Sequence, residues 1–165
     1  NRCDETANLA ILDGSDVIYV LMHETSQTVR IVLRLGQRLP AHCTAAGKAQ
    51  LAFESADRLQ LLFKDTPLRK LTENTIVSPE ALREHLREVA KVGFVLDNEE
   101  FELGVRCIAA PVRDYSHKVV ASVGLSGPLS RFSMERIEKE LVPLVKEAGA
   151  KISERLGYEI GVVPS

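Results

Sequence analysis

The stretch GVRCIAAPVRDYSHKVVASVGLSGP, residues 104–128, constrains the fold more than any other part of this chain. Two extended segments flank a polar turn, yet many of the side chains available to fill the sheet are very small. Cys107, Ala109, Ala110, Ala121, Ser122, Gly124 and Ser126 are poor fillers, whereas protein interiors pack densely enough to leave few voids larger than a water molecule. With a loop of residues 115–118, Asp114 opposes Val119, Cys107 lies opposite Ser126, Ala109 opposite Gly124 and Pro111 opposite Ser122. Side chains alternate along a strand, so the last six share one side of the sheet. Ile108, Val112, Val119, Val123 and Leu125 take the other side, which suits helix packing. A loop one residue longer shifts the register and scrambles these pairs. The small side has two readings: a helix or partner sheet approaches it closely, or it floors a ligand cavity.

Upstream, TANLAILD, Gly14-Ser15 and DVIYVLMHE read as strand, turn and strand. TVRIVLRLG, residues 28–36, alternates Val29, Ile31 and Leu33 with Thr28, Arg30, Val32 and Arg34, which predicts a third strand. TAAGKAQLAF predicts a helix from about Thr44, Ser55 caps a second short helix, and residues 65–77 read as loop. Ser78-Pro79 opens a helix with Leu82, Leu86, Val89 and Ala90 on one face and Gly93 at its end. FVLD reads as a short strand. The last helix runs from about Ser133 to Gly157 and turns Met134, Ile137, Leu141, Leu144, Val145, Ala148, Ile152 and Leu156 inward, with a bend at Pro143. Three strands before the central helices and three after them define an α+β class, with a six-stranded, mainly antiparallel sheet and covering helices. The whole of residues 1–165 reads as one domain.

Cys43-Thr44-Ala45-Ala46-Gly47 begins the first helix with backbone N–H groups that no bulky side chain shields, an arrangement that attracts anions. Beside a floor bearing thiol and hydroxyl groups it suits a small carboxylate. The net charge of −2, with basic and acidic residues interspersed, points to no phosphate-binding surface. Three cysteines without a C-x-x-C pair favour a reducing compartment, so the expected location is cytoplasmic. The longest apolar runs fall far short of the ~20 residues that cross a bilayer, and no membrane partner is expected. The chain opens on Asn1 without a secretory pattern and reads as part of a longer polypeptide.

Enzymatic readings fare poorly. His42 and Cys43 are adjacent, but neighbours in an extended chain point opposite ways and make no nucleophile–base pair. Gly47-Lys48-Ala49 resembles part of a phosphate loop, yet His42 and Ala49 stand where Gly and Ser or Thr belong. His23, His42, His85 and His117 show no metal-ligand spacing. Asp97, Glu99, Glu100 and Glu102 form an acidic cluster whose glutamates read as solvated. Arg106 and Arg113 read as surface residues near strand ends, either able to lend positive charge to an anion. No catalytic residue, metal or cofactor is expected.

Three blocks, LPAHCTAAGKAQLAF, GFVLDNEEFELGVRCIAAPVRD and VVASVGLSGP, followed by the terminal helix, make the chain resemble the effector-binding domain of the isocitrate lyase regulator (IclR) family of bacterial transcriptional regulators. The resemblance implies a GAF-like sensor that binds a small organic acid between sheet and covering loops. It implies ligand contacts at Ala45, Ala46, Gly47, Asp97, Cys107, Gly124 and Ser126, with Thr28 approaching from the third strand. Some members of the family carry serine at the position of Gly124 and glycine at that of Ala45, so the contacts transfer more readily than the ligand. It also implies homodimers or homotetramers, and operator DNA bound only through an N-terminal winged helix-turn-helix that these residues do not resemble. Two alternatives remain beside it: a GAF-like module of another signalling protein, and a small metabolic enzyme.

Overall fold

Gly14, in the left-handed region at φ +63°, turns the chain between β1 (Thr6–Asp13) and β2 (Asp16–His23) in the computed structural model, which describes residues 2–159. The third strand is a correction. Residues 28–36 form no strand; β3 is the short Arg38–Pro40. Ile31 and Leu33 still turn inward as their alternation predicts, but backbone carbonyls of this segment are taken by side chains. The Thr6 hydroxyl donates to the Ile31 carbonyl at 3.4 Å and the Arg131 guanidinium to the Val29 carbonyl at 2.8 Å.

Three side-chain caps start the next helices. The hydroxyls of Thr44, Ser55 and Ser78 accept the N–H groups of Gly47, Arg58 and Ala81, opening α1 (Ala45–Leu51), α2 (Ala56–Phe63) and α3 (Pro79–Val92). Gly93, at φ +76°, ends α3 and leads into β4 (Val95–Asn98), β5 (Val105–Arg113) and β6 (Val119–Pro128).

The strand order is β3-β2-β1-β6-β5-β4, antiparallel at each pairing, so the first and last hairpins join where β1 meets β6. Cys107 lies opposite Ser126, Ala109 opposite Gly124 and Pro111 opposite Ser122, as the sequence predicts. Near the turn the expectation fails. Arg113, not Asp114, pairs with Val119, and the loop is one residue longer than expected; a bulge between the Val112 and Arg113 pairs restores the register.

Helices cover both sheet faces. The C-terminal helix consists of α4 (Met134–Arg136), a π-helical turn at Ile137–Leu141 and α5 (Val142–Arg155). The wider turn precedes Pro143, whose ring has no N–H and clashes with a regular preceding turn. Ile137, Leu141 and Val145 pack on Ile108, Ala110 and Leu125, while Met134 and Leu156, expected inside, are exposed at the helix ends. Gly149 and Ser153 take buried positions instead. A Cβ on Gly149 would lie 2.9 Å from the Pro111 carbonyl, which shows how close α5 runs to β5. On the opposite face Ala45 and Ala49 of α1 pack on Ala109, Val95 and Val89.

Candidate functional site

The small residues of β5 and β6 lie under α1 at one point along the face and border a cavity at another. Toward the turn, α1 lies directly on the sheet. Ser122 Oγ donates to the Ala46 carbonyl at 2.8 Å, and Gln50 Nε2 lies 3.0 Å from Ser122 Oγ, 3.1 Å from the Ala46 carbonyl and 3.2 Å from that of Ala10. Gln50 Oε1 accepts the Leu12 N–H at 2.8 Å, so one buried amide ties α1 to β1 and β6.

Farther along the strands, at Cys107 and Ser126, the sheet extends past the start of α1. A partly enclosed cavity of about 100 Å³ opens there, with Tyr19, Thr44, Asp97, Cys107 and Ser126 among its lining and Leu33, Leu39, Phe101 and Val105 among its apolar walls. Asn8 Nδ2 donates to Ser126 Oγ at 3.3 Å. Asp97 is almost wholly buried, and its Oδ1 accepts the Glu100 N–H at 2.8 Å. Burial, reinforced by the Glu100 charge and opposed by Lys48 and backbone N–H groups, pushes its pKa up to about 7. The Asp97 carboxyl therefore has an accessible neutral form near neutrality.

Neither nearby thiol is activated. Burial, with Asp97 next, pushes the Cys107 thiol well up and Cys43 to about 12, the opposite of the depressed pKa a thiolate nucleophile needs. Among the described residues no cluster of three His, Cys, Asp or Glu side chains is placed to hold a metal.

Behind the Asp97 carboxyl lies an ion pair that the sequence reading missed. Lys48 is fully buried, its ammonium against the Glu100 carboxylate and 3.3 Å from His85 Nε2. Glu100, expected in solvent, is buried, and its second oxygen has no partner among the described residues. Burial, then the Lys48 charge, pushes the His85 pKa down to about 4, so a neutral ring faces the ammonium. His42 sits in a 3-10 turn, Ala41–Cys43, rather than extended chain, and its Nε2 lies 3.1 Å from the Arg69 carbonyl. Arg106 hydrogen-bonds Asn98 Oδ1 and the Phe132 carbonyl, and Arg113 stacks over Phe53, so neither reaches the cavity.

Of the eight residues singled out as contacts, Ala45, Asp97, Cys107 and Ser126 line the cavity. Thr28 is exposed on the loop after β2, and Ile31 of that loop reaches the cavity. Ala46 faces the core and gives its carbonyl to Ser122. Gly47 packs against the preceding turn, where a Cβ would lie 2.2 Å from the Ala41 carbonyl oxygen. Gly124 sits beneath Asn8, and a Cβ there would lie 3.0 Å from Asn8 Oδ1. Tyr19 was missed; its place in an alternating strand marks it as inward-facing but gives no sign of what it faces. Four other clefts, one between α2 and α3 and three along the C-terminal helix, are larger but unite none of these polar groups.

Residues 1–154 match the family model described as bacterial transcriptional regulator IclR C-terminal. The HTH-type transcriptional regulator KdgR of Escherichia coli is 38% identical over 93% of this chain, which spans 58% of that protein's length. Among solved structures, Thermotoga maritima IclR superposes with a TM-score of 0.89 at 37% identity, covering 95% of this chain and 63% of that one. The inducer-binding domain of the PobR transcription factor from Acinetobacter, a double mutant in complex with 3-hydroxybenzoic acid, superposes with a TM-score of 0.84 at 26% identity, covering 92% of this chain and 89% of that one. Fold, identity and matched length agree: the chain belongs to the IclR C-terminal family of bacterial transcriptional regulators.

Proposed function

We propose that this domain binds a small organic acid in the cavity between Asp97, Cys107, Ser126 and the start of α1, and that occupancy controls DNA binding by a cytoplasmic transcriptional regulator of which it forms part. The cavity itself carries the reading. Its volume of about 100 Å³ restricts it to a small ligand. Apolar walls with a few convergent polar groups are the usual make-up of such sites. A carboxylate meets the Ser126 hydroxyl and, in its neutral form, Asp97 as a donor. That the related PobR domain is described in complex with 3-hydroxybenzoic acid supports an acid ligand.

Regulation requires the acid to bind one global state more tightly than another. The loop after β2 is suited to that role because it both lines the cavity and holds the chain entering β1. Asp4 accepts from the Ser26 N–H at 3.0 Å and the Gln27 side chain at 2.9 Å. Arg131 bridges the buried Glu5 carboxylate to the Val29 carbonyl. A ligand that orders Ile31 and Leu33 thereby fixes residues 3–6, ahead of which the winged helix-turn-helix is expected. Exposed Leu21, Val32 and Leu35 on this side support assembly into a homodimer or homotetramer.

A thermal-shift panel of small organic acids tests the reading. A ligand at a hundred times its Kd adds ~2.7 kcal/mol of stability, several degrees of melting temperature. Ser126→Leu, which fills the cavity, is expected to abolish the shift; a full shift in that variant overturns the site.

A further inference from the structure

Tyr19 is about as buried as a tyrosine can be, at 5% exposure, and it lines the cavity. Its hydroxyl makes no hydrogen bond to any other described residue, although both of its backbone groups are used: the Tyr19 N–H donates to the Gln37 carbonyl at 3.1 Å and its carbonyl accepts the Gly36 N–H at 2.8 Å. The oxygen is not sealed inside the protein: among the described residues Glu100 Oε2 is the buried side-chain polar atom without a partner, and the Tyr19 hydroxyl, on a side chain that lines the cavity, is left free to bond what enters it.

The placement of the ring comes from the strand. The β1–β2 register shifts between Leu9 and Ala10, leaving Val20 unpaired beside Tyr19. Such bulges re-aim a neighbouring side chain. Tyr19 stands opposite Ala10, whose methyl group leaves the ring room to lie inward. Asp97, Cys107 and Ser126 line the same cavity as the ring.

We infer that the Tyr19 hydroxyl is a specificity-determining donor that hydrogen-bonds an oxygen of the effector other than its carboxylate, so that the cavity selects hydroxy- or keto-substituted small acids over their unsubstituted counterparts. This rests on the acid-sensing reading above and adds to it a second point of recognition. An unsubstituted acid leaves the phenol buried without a partner. Sites built to bond a polar group penalise the analogue that lacks it for this reason.

The test uses matched acids, lactate against propionate, 3-hydroxybutyrate against butyrate and 3-hydroxybenzoate against benzoate, titrated into the 165-residue chain and its Tyr19→Phe variant. At least one pair is expected to show an about three- to tenfold preference for the oxygenated member, the range of one net hydrogen bond. Tyr19→Phe is expected to remove that preference while binding the unsubstituted acid at least as well. Without ligand, Tyr19→Phe is expected to melt at or above the wild-type temperature, because no protein hydrogen bond is lost. A drop of several degrees reveals a protein partner and overturns the inference. Binding without preference, or a preference that survives Tyr19→Phe, also overturns it and leaves acid sensing intact. If no acid of any kind binds the wild type, the sensing reading fails and takes the Tyr19 role with it.

Discussion

The Lys48 ammonium and the Glu100 carboxylate meet in the interior, Lys48 fully buried on the first helix and Glu100 nearly so on the turn after β4. The pair joins helix to sheet directly behind the cavity. Removing one partner of such a pair leaves the other charge uncompensated, and the cost is about 3–5 kcal/mol. Lys48→Met is therefore expected to lower stability by about that amount, measured by urea denaturation. Combining it with Glu100→Leu is expected to recover most of the loss. A single variant as stable as wild type would show that the pair contributes no specific attraction.

Asp97 makes stability depend on pH. Its pKa rises from 3.8 to about 7 on folding, so its favourable contribution is complete below 3.8 and is lost as pH rises through 7. The Lys48 and Glu100 charges act on it, and its own charge acts on Cys107 and Tyr19. Asp97→Asn keeps an acceptor for the Glu100 N–H and removes the titration. Its melting temperature is expected to fall less than that of wild type between pH 5 and pH 8; parallel curves would place the dependence elsewhere. If the acid ligand binds as a carboxylate, its affinity is also expected to weaken as pH rises through 7 in the wild type.

Gly47 is a test of close approach. Alanine is the better helix former by about 1 kcal/mol. Here its Cβ would overlap the Ala41 backbone, 2.2 Å from the carbonyl oxygen and 2.3 Å from Cα. Backbone cannot swing aside as a side chain can, so Gly47→Ala is expected to destabilise by about 2 kcal/mol or more, read from the denaturation midpoint. A neutral or stabilising result would mean that the turn at residues 41–43 yields.

Gln50 holds α1 on the sheet. Gln50→Leu preserves volume but strands the Leu12 N–H and removes a donor from the Ala10 carbonyl. A loss of about 2–4 kcal/mol is expected, since unsatisfied buried groups cost about 1–3 kcal/mol each. Gln50→Glu keeps the acceptor for Leu12 but turns an oxygen toward the Ala10 and Ala46 carbonyls, and is also expected to destabilise. Retention of wild-type stability in both variants would show that packing alone seats the helix.

The hairpins, the helix start near Thr44, the caps at Ser55 and Ser78, the α+β class and the pairing of Cys107 with Ser126 were legible in the sequence because they follow from local rules: strand alternation, side-chain caps and turn residues act within a few positions. Nothing local revealed that α1 covers Ser122 but not Cys107. The same small-residue face therefore remained open to two readings until the helix had a position over it. The fates of Lys48 and Glu100, of residues 28–36 and of the Tyr19 hydroxyl likewise depend on partners far away in the chain. Burial and hydrogen-bond satisfaction are properties of the assembled fold, and they decided which residues close the cavity and which pack beside it.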